Sequence, residues 1–208
     1  MINDNLLKQA QAIYQYFIDE AETTEITLSE ISCYSNKKIK VSELQLNSYI
    51  STENMYPNKK GIGTASNLPN VEYVPMFEEG DVLVSNIRPY FKKIYLCKEK
   101  GGCSADVLCF VPRKPEYELF LFETLYSDEF FSFMVASSKG TKMPRGDKKQ
   151  IMNYPVSLPS IKKLDQLNNI IKPIIDIVYK NNNESRLLTK LRDTILPKIM
   201  SGNLIFQE

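Results

Sequence analysis

Few side chains in this sequence can do covalent or acid–base chemistry. Histidine is absent from all 208 residues. That removes Ser-His-Asp and Cys-His nucleophile systems, HExxH zinc sites and every imidazole acid–base scheme. Four cysteines remain, Cys33, Cys97, Cys103 and Cys109, and the last three are spaced by five intervening residues with no CxxC pair. Such spacing does not suit zinc. Their neighbours, Leu96, Leu108 and Phe110 among them, are apolar, which reads as small buried hydrophobes in a reducing compartment. Neither type of Gly-rich phosphate loop occurs. Asn153-Tyr154-Pro155 has the residue types of an amino-methyltransferase motif in the wrong order, with no glycine-rich cofactor loop upstream. Glu78, Glu79 and Asp81 read as a turn entering a strand. No catalytic residue, metal or cofactor is expected.

The distinctive chemistry is positive charge held on loops. From Lys139 to Lys149 the chain carries five basic residues and one acid, with Gly140, Pro144 and Gly146 to shape the backbone. Glycines let a backbone approach a ligand closely. Thr141 and exposed amides can donate to phosphate oxygens. Arg145 can fork onto guanine or phosphate, while Lys139, Lys142, Lys148 and Lys149 act as point charges. A second basic segment, Arg88 to Lys93, adds three positive charges in six residues, Lys92 among them, with Tyr90 interleaved. Asn86 precedes it. A third stretch, Tyr49 to Met55, offers short polar side chains, Thr52 and Asn54 foremost, for base edges. Overall, 26 Lys and Arg stand against 25 Asp and Glu, a net charge of +1. The positive excess is therefore local, as expected of a focused anion-binding face, with DNA the leading candidate.

Three zones must position these loops. Residues 1–20 hold Leu6, Ala10, Ile13 and Phe17 at helical spacing, capped by Asn3 or Asp4. Residues 21–160 mix short strands with turns. The strands are expected at 26–33, 48–52, 81–87, 91–97 and 103–111, and a turn at Lys100-Gly101-Gly102. Helices follow at 117–126 and 128–137, the second capped by Asp128. Strands before helices argue for an α+β fold, one mixed α/β domain. Residues 161–203 form a long coiled-coil-like helix. Of eleven a/d positions from Leu164 to Ile199, eight are apolar. The stretch from Leu164 to Ile199 spans about 54 Å at 1.5 Å per residue. Pro173 is expected to kink it or start it anew, and Pro197 to end it. The N-terminal helix is the nearest partner but too short to cover it, which implies a second subunit. The first twenty residues contain no signal peptide, and the longest apolar run, Val107 to Val111, is far short of the roughly 20 residues a spanning helix needs. A soluble, cytoplasmic protein is expected.

The chain resembles the specificity (S) subunits of type I restriction–modification systems along nearly its whole length. The carriers are Tyr49-Ile-Ser-Thr-Glu-Asn, Phe77-Glu-Glu-Gly-Asp-Val-Leu-Val-Ser-Asn-Ile-Arg-Pro-Tyr, Ala105-Asp-Val-Leu-Cys-Phe-Val-Pro, Gly140-Thr-Lys-Met-Pro-Arg-Gly-Asp-Lys-Lys, Ile151-Met-Asn-Tyr-Pro-Val-Ser-Leu-Pro and Leu191-Arg-Asp-Thr-Ile-Leu-Pro-Lys-Ile-Met-Ser-Gly. The resemblance implies a non-catalytic subunit. It implies a target recognition domain at 21–160 that reads one part of a split double-stranded DNA site. It also implies helices that dock adenine-N6 methyltransferase subunits, and a motor–nuclease subunit that joins for cleavage. Such subunits usually carry two recognition domains and two long helices. This chain has one domain, one long helix and one short one, as in a half-length subunit or the C-terminal half of a longer one, able to pair with a second half through its helices. The rival readings are a coiled-coil scaffold without DNA, a specificity domain of a single-chain restriction–methylation enzyme, and an enzyme in its own right.

Overall fold

The computed structural model describes residues 2–140 and 142–201. Helix α1 (Ile2–Asp19) opens the chain, followed by β1 (Thr23–Thr27), α2 (Leu28–Ile31), β2 (Ser32–Tyr34), β3 (Lys38–Lys40), β4 (Tyr49–Ile50), β5 (Tyr73–Phe77), β6 (Val82–Ser85), β7 (Ile94–Leu96), β8 (Gly101–Cys103) and β9 (Val107–Pro112). Helices α3 (Glu118–Tyr126), α4 (Asp128–Ala136) and α5 (Lys148–Ile151) then precede β10 (Pro155–Pro159) and α6 (Ile161–Met200). The α+β expectation holds. Among the described residues, the strands form a central sheet in the order β2-β9-β6-β7, a second sheet in the order β3-β5-β8-β4, and a ribbon of β1 with β10. The central sheet is antiparallel. In the second sheet β4 runs parallel to β8.

β6 is buried on both faces, and its alternation sorts the core into two layers. Val82 and Val84, with Leu108 and Phe110 of β9, face the helical layer of Phe120, Leu121, Phe130, Phe131 and Met134. Leu83 and Cys109 face the other way, against Phe77, Cys97, Cys103, Ile50 and Met55. Three cysteines thus pack between the sheets. Burial pushes the Cys103 thiol up to about 12 and the Cys97 and Cys109 thiols up as well. Among the described residues no cluster of His, Cys, Asp or Glu is arranged to hold a metal ion, and no helix is long and apolar enough to cross a membrane.

Several elements differ from the sequence expectation. The strand expected at 26–33 breaks at Thr27, because Glu30 reaches back to accept the Thr27 N–H at 2.9 Å and winds α2 between two strands. Gly101 and Gly102, expected in a turn, form β8 instead. A Cβ on Gly101 would lie 2.2 Å from the Ser48 carbonyl oxygen, and one on Gly102 2.7 Å from both Leu44 and Val74. Close approach, not turn geometry, requires glycine there. Ser127, not Asp128, caps α4, its Oγ accepting the Phe130 N–H at 3.1 Å.

The long helix runs without a break through Pro173 and Pro197. Both prolines are exposed, so the carbonyls they leave without a partner face water. α1 lies antiparallel along the first half of α6. Asn3 donates to Asn182 Oδ1 and accepts from Asn181 Nδ2, both at 2.8 Å, while the Lys163 ammonium sits 5.8 Å from the centre of the Phe17 ring. Leu164, Leu167, Ile171, Ile175 and Val178 are buried beneath it. Beyond Asn183 the helix projects alone for about 26 Å at 1.5 Å per residue.

Candidate nucleic-acid interface

The hairpin loop 86–93 leaves the central sheet at the C-terminal end of β6 and returns into β7. Its root is closed by the Ser85 N–H on the Lys93 carbonyl at 3.1 Å. The loop folds back through a short 3-10 turn, Pro89–Phe91, flanked by Arg88 and Lys92, both left-handed at φ 50°. Two further loops dock on it through the backbone. On one side, Arg88 N–H donates to the Pro144 carbonyl at 2.8 Å, and Lys139 and Arg145 exchange N–H···O bonds at 2.9 and 3.0 Å. On the other, Asn58 N–H meets the Phe91 carbonyl at 2.8 Å and Lys59 N–H the Lys92 carbonyl at 2.9 Å. The order across this end of the sheet is therefore the 139–149 loop, the 88–93 turn and the 57–61 turn.

Two segments that lie about fifty residues apart in sequence thus form one row. Thr52 joins it through its carbonyl, which accepts from Lys93 Nζ; burial lowers the Lys93 pKa.

Backbone strain concentrates here. The non-glycine residues with positive φ among the described residues are Asn58, Lys59, Arg88 and Lys92, and all four lie in the paired turns. Each costs on the order of 1–3 kcal/mol, which persists only where the surroundings hold it, and such strain gathers at functional sites. Gly146 seats the basic loop. A Cβ there would fall 2.8 Å from Ile151 and 2.9 Å from Asn86 Oδ1, so a larger residue would lift the loop off the hairpin.

The expected site residues divide by environment. Lys142, Arg145, Lys148, Lys149, Lys139 and Tyr90 are exposed, and Arg88 and Lys92 half-buried. Lys142 and Lys149 form no ion pair within the described residues, and Lys148 lies over the Tyr34 ring at 6.0 Å. Tyr90 and Phe91 form an exposed tilted pair with ring centres 4.7 Å apart. Thr141 lies outside the described residues. Asn54 departs from its expected role on the surface. It is buried, its Nδ2 donating to the Tyr49 and Gly63 carbonyls at 3.0 and 2.9 Å and its Oδ1 accepting the Ser51 N–H at 2.6 Å. Those bonds hold the 51–54 turn and leave little for a base. Asn86 is likewise buried at the hairpin root; its Oδ1 and Arg88 Nε have no hydrogen-bond partner among the described residues.

Acidic partners, which sequence reasoning passed over, temper this row. Arg145 Nη2 meets Asp106 Oδ1 at 3.0 Å. Asp128 Oδ1 takes both Lys59 at 2.7 Å and Lys92 at 3.0 Å, and these two ammonium groups hold its carboxyl below the usual range. Lys139 meets Asp147 at 2.7 Å. Asp147 also caps α5 through the Lys149 and Gln150 N–H groups, and it too is held low, first by Lys139. The signal for Lys59 was the run Asn58-Lys59-Lys60 after a proline turn. Nothing local in the sequence marked Asp106 or Asp128 as a counter-charge, because their partners lie dozens of residues away.

No family model matches the chain. Over 135 residues it is 25% identical to the type I restriction enzyme EcoDI specificity subunit of Escherichia coli, covering 63% of this chain and 30% of that protein. A second match, 29% over 75 residues, is to the type I restriction enzyme MjaIX specificity subunit of Methanocaldococcus jannaschii, covering 36% of this chain and 17% of that one. Among solved structures, the S subunit of a type I restriction–modification system from M. genitalium shares the fold with a TM-score of 0.59 at 17% identity, covering 94% of this chain and 55% of that one. The HsdS subunit from Thermoanaerobacter tengcongensis shares it at 0.51 and 15%, covering 97% and 53%. The fold is that of type I specificity subunits, and the resemblance drawn from the motifs stands. The chain spans about half the length of these solved subunits and less of the curated relatives it matches.

Proposed function

We propose that this chain is a DNA sequence-specificity subunit, or half of one, of a type I restriction–modification system. It carries no chemistry of its own and reads one part of a split double-stranded site. The observation that carries the reading is the backbone-bonded row of basic loops at one end of the central sheet, in a fold shared with S subunits. Phosphates bind Lys142, Lys148 and Lys149, and Arg145 and Arg88 fork onto base edges or phosphates. Tyr90 supplies an exposed aromatic face beside them.

The helices are the assembly surface. Adenine-N6 methyltransferase subunits dock along them, and a motor–nuclease subunit joins that complex. The bare distal half of α6 pairs with a second specificity half, supplied by another copy or by a further stretch of the same protein. Leu188, Leu191, Ile195 and Ile199 lie along one stripe of that segment, Leu188 and Leu191 more than half exposed. An affinity pull-down from the source cells, with partners identified by mass, tests the reading. It predicts an adenine methyltransferase subunit in the eluate. Recovery of the chain alone, from cells that express such a methyltransferase, would sink it.

A further inference from the structure

Some cations of the interface are held by carboxylates, whereas Lys142 and Lys149 join no ion pair among the described residues. Arg145 is held by Asp106, and Lys59 and Lys92 converge on one carboxylate oxygen of Asp128. These aspartates sit on different elements, the turn entering β9 and the first turn of α4. Both pairings reach across long sequence distances onto the strained row described above. The carboxylates are open to solvent, Asp128 at 64% and Asp106 at 41% of their side-chain surface, while of their cations Arg145 stands at 55%, Lys92 at 34% and Lys59 at 15%. Such pairs are weak and exchange readily for a better anion.

Resting on the DNA-reading proposal, we infer that Asp106 and Asp128 are specificity-determining residues that compete with phosphate for Arg145, Lys59 and Lys92 and so suppress binding to non-cognate duplex. An unpaired row of cations binds any phosphate backbone, since that term is blind to sequence. With the aspartates in place, each of these cations must leave a carboxylate, and that carboxylate then faces the polyanion. On non-cognate DNA the exchange returns little. On a cognate site, base contacts made by the same loops supply the remainder. Selectivity here comes from a repulsive element as well as attractive ones. Asp147 is set aside because it also caps α5.

The test is fluorescence anisotropy of a short duplex of scrambled sequence, titrated over a salt series with the full chain, its Asp106→Asn/Asp128→Asn variant, and Asp165→Asn. Asp165 is an exposed carboxylate of α6 with no ion pair among the described residues, and its variant makes the same kind of charge change away from the row. The double variant is expected to bind the scrambled duplex about three- to tenfold more tightly, its log–log salt slope steeper by roughly 0.9 for each released cation that reaches a phosphate. Asp165→Asn is expected to match the parent, and melting curves of all three to coincide. A double variant that behaves like Asp165→Asn while the parent binds overturns the competition alone. Absence of salt-dependent binding in every protein, each still folded, overturns the DNA reading and this inference with it.

Discussion

From Leu164 to Val178, α6 buries five apolar side chains against its own domain, with α1 laid along it and α3 beneath. From Leu187 to Met200 it buries none, and Leu187, Leu188 and Leu191 stand 68%, 58% and 54% exposed. The helix is one unbroken element, and the apolar spacing continues in both halves, so propensity does not separate them. What differs is supply. The domain and α1 cover the first half, and the Asn3–Asn181–Asn182 clasp marks where that cover stops. A helix that projects into solvent with an apolar stripe is stable as a pair far more than alone. The first half of the helix is covered by its own domain, whereas the apolar stripe of its last turns stands open to solvent.

Substitution in the covered half should have the largest effect. Ile171→Ala should cost about 2–5 kcal/mol, because a fully buried side chain leaves a cavity between helices, measured as the shift in urea midpoint. Loss comparable to that at Leu191→Ala would break the comparison.

Next comes pH. Glu123 of α3 is fully buried, and neither carboxylate oxygen has a hydrogen-bond partner among the described residues. Burial raises its pKa to about 8, opposed by Lys59. The folded chain therefore prefers the protonated form. That contribution is fully present below the ordinary value of 4.5 and is lost as pH rises through about 8. Glu123→Gln should remove this decline and be more stable than the parent at pH 9 by on the order of a few kcal/mol, read from denaturation midpoints across pH. Parallel pH profiles for the two proteins would contradict the placement.

Smaller still, Asn3→Ala should cost about 0.5–1.5 kcal/mol by unmaking the clasp, and hydrogen exchange near Asn181 should quicken. Smallest in thermal stability is Leu191→Ala, within about 0.5 kcal/mol of the parent at dilution where the chain is monomeric. Sedimentation at rising concentration should nonetheless show weakened self-association. Unchanged association would mean that the distal stripe does not pair copies.

The heptad in α6, the amphipathic α1, the helices of the 118–136 region and both basic loops were legible because each is a local pattern. The sequence did not reveal what joins those loops into one row. Residue 88 meets residue 144, and residue 92 meets residue 59, through backbone bonds whose partners no local periodicity encodes. Asn54 misled for a related reason. A short polar residue at a strand end looks the same whether it faces a ligand or closes its own turn. Gly101-Gly102 looked like a turn, and only the packed second sheet shows why both positions must lack a Cβ.

The most direct test of the proposed function is site-specific adenine methylation of DNA by this chain combined with the adenine methyltransferase subunit that the proposal assigns to it, comparing the parent with Lys142→Glu/Lys149→Glu. Both lysines are exposed and neither joins an ion pair among the described residues, so reversal leaves the fold's own contacts intact. The expected result is an assembled complex with methylation abolished. Methylation at the parental rate, with the charges reversed and the protein folded, would contradict it.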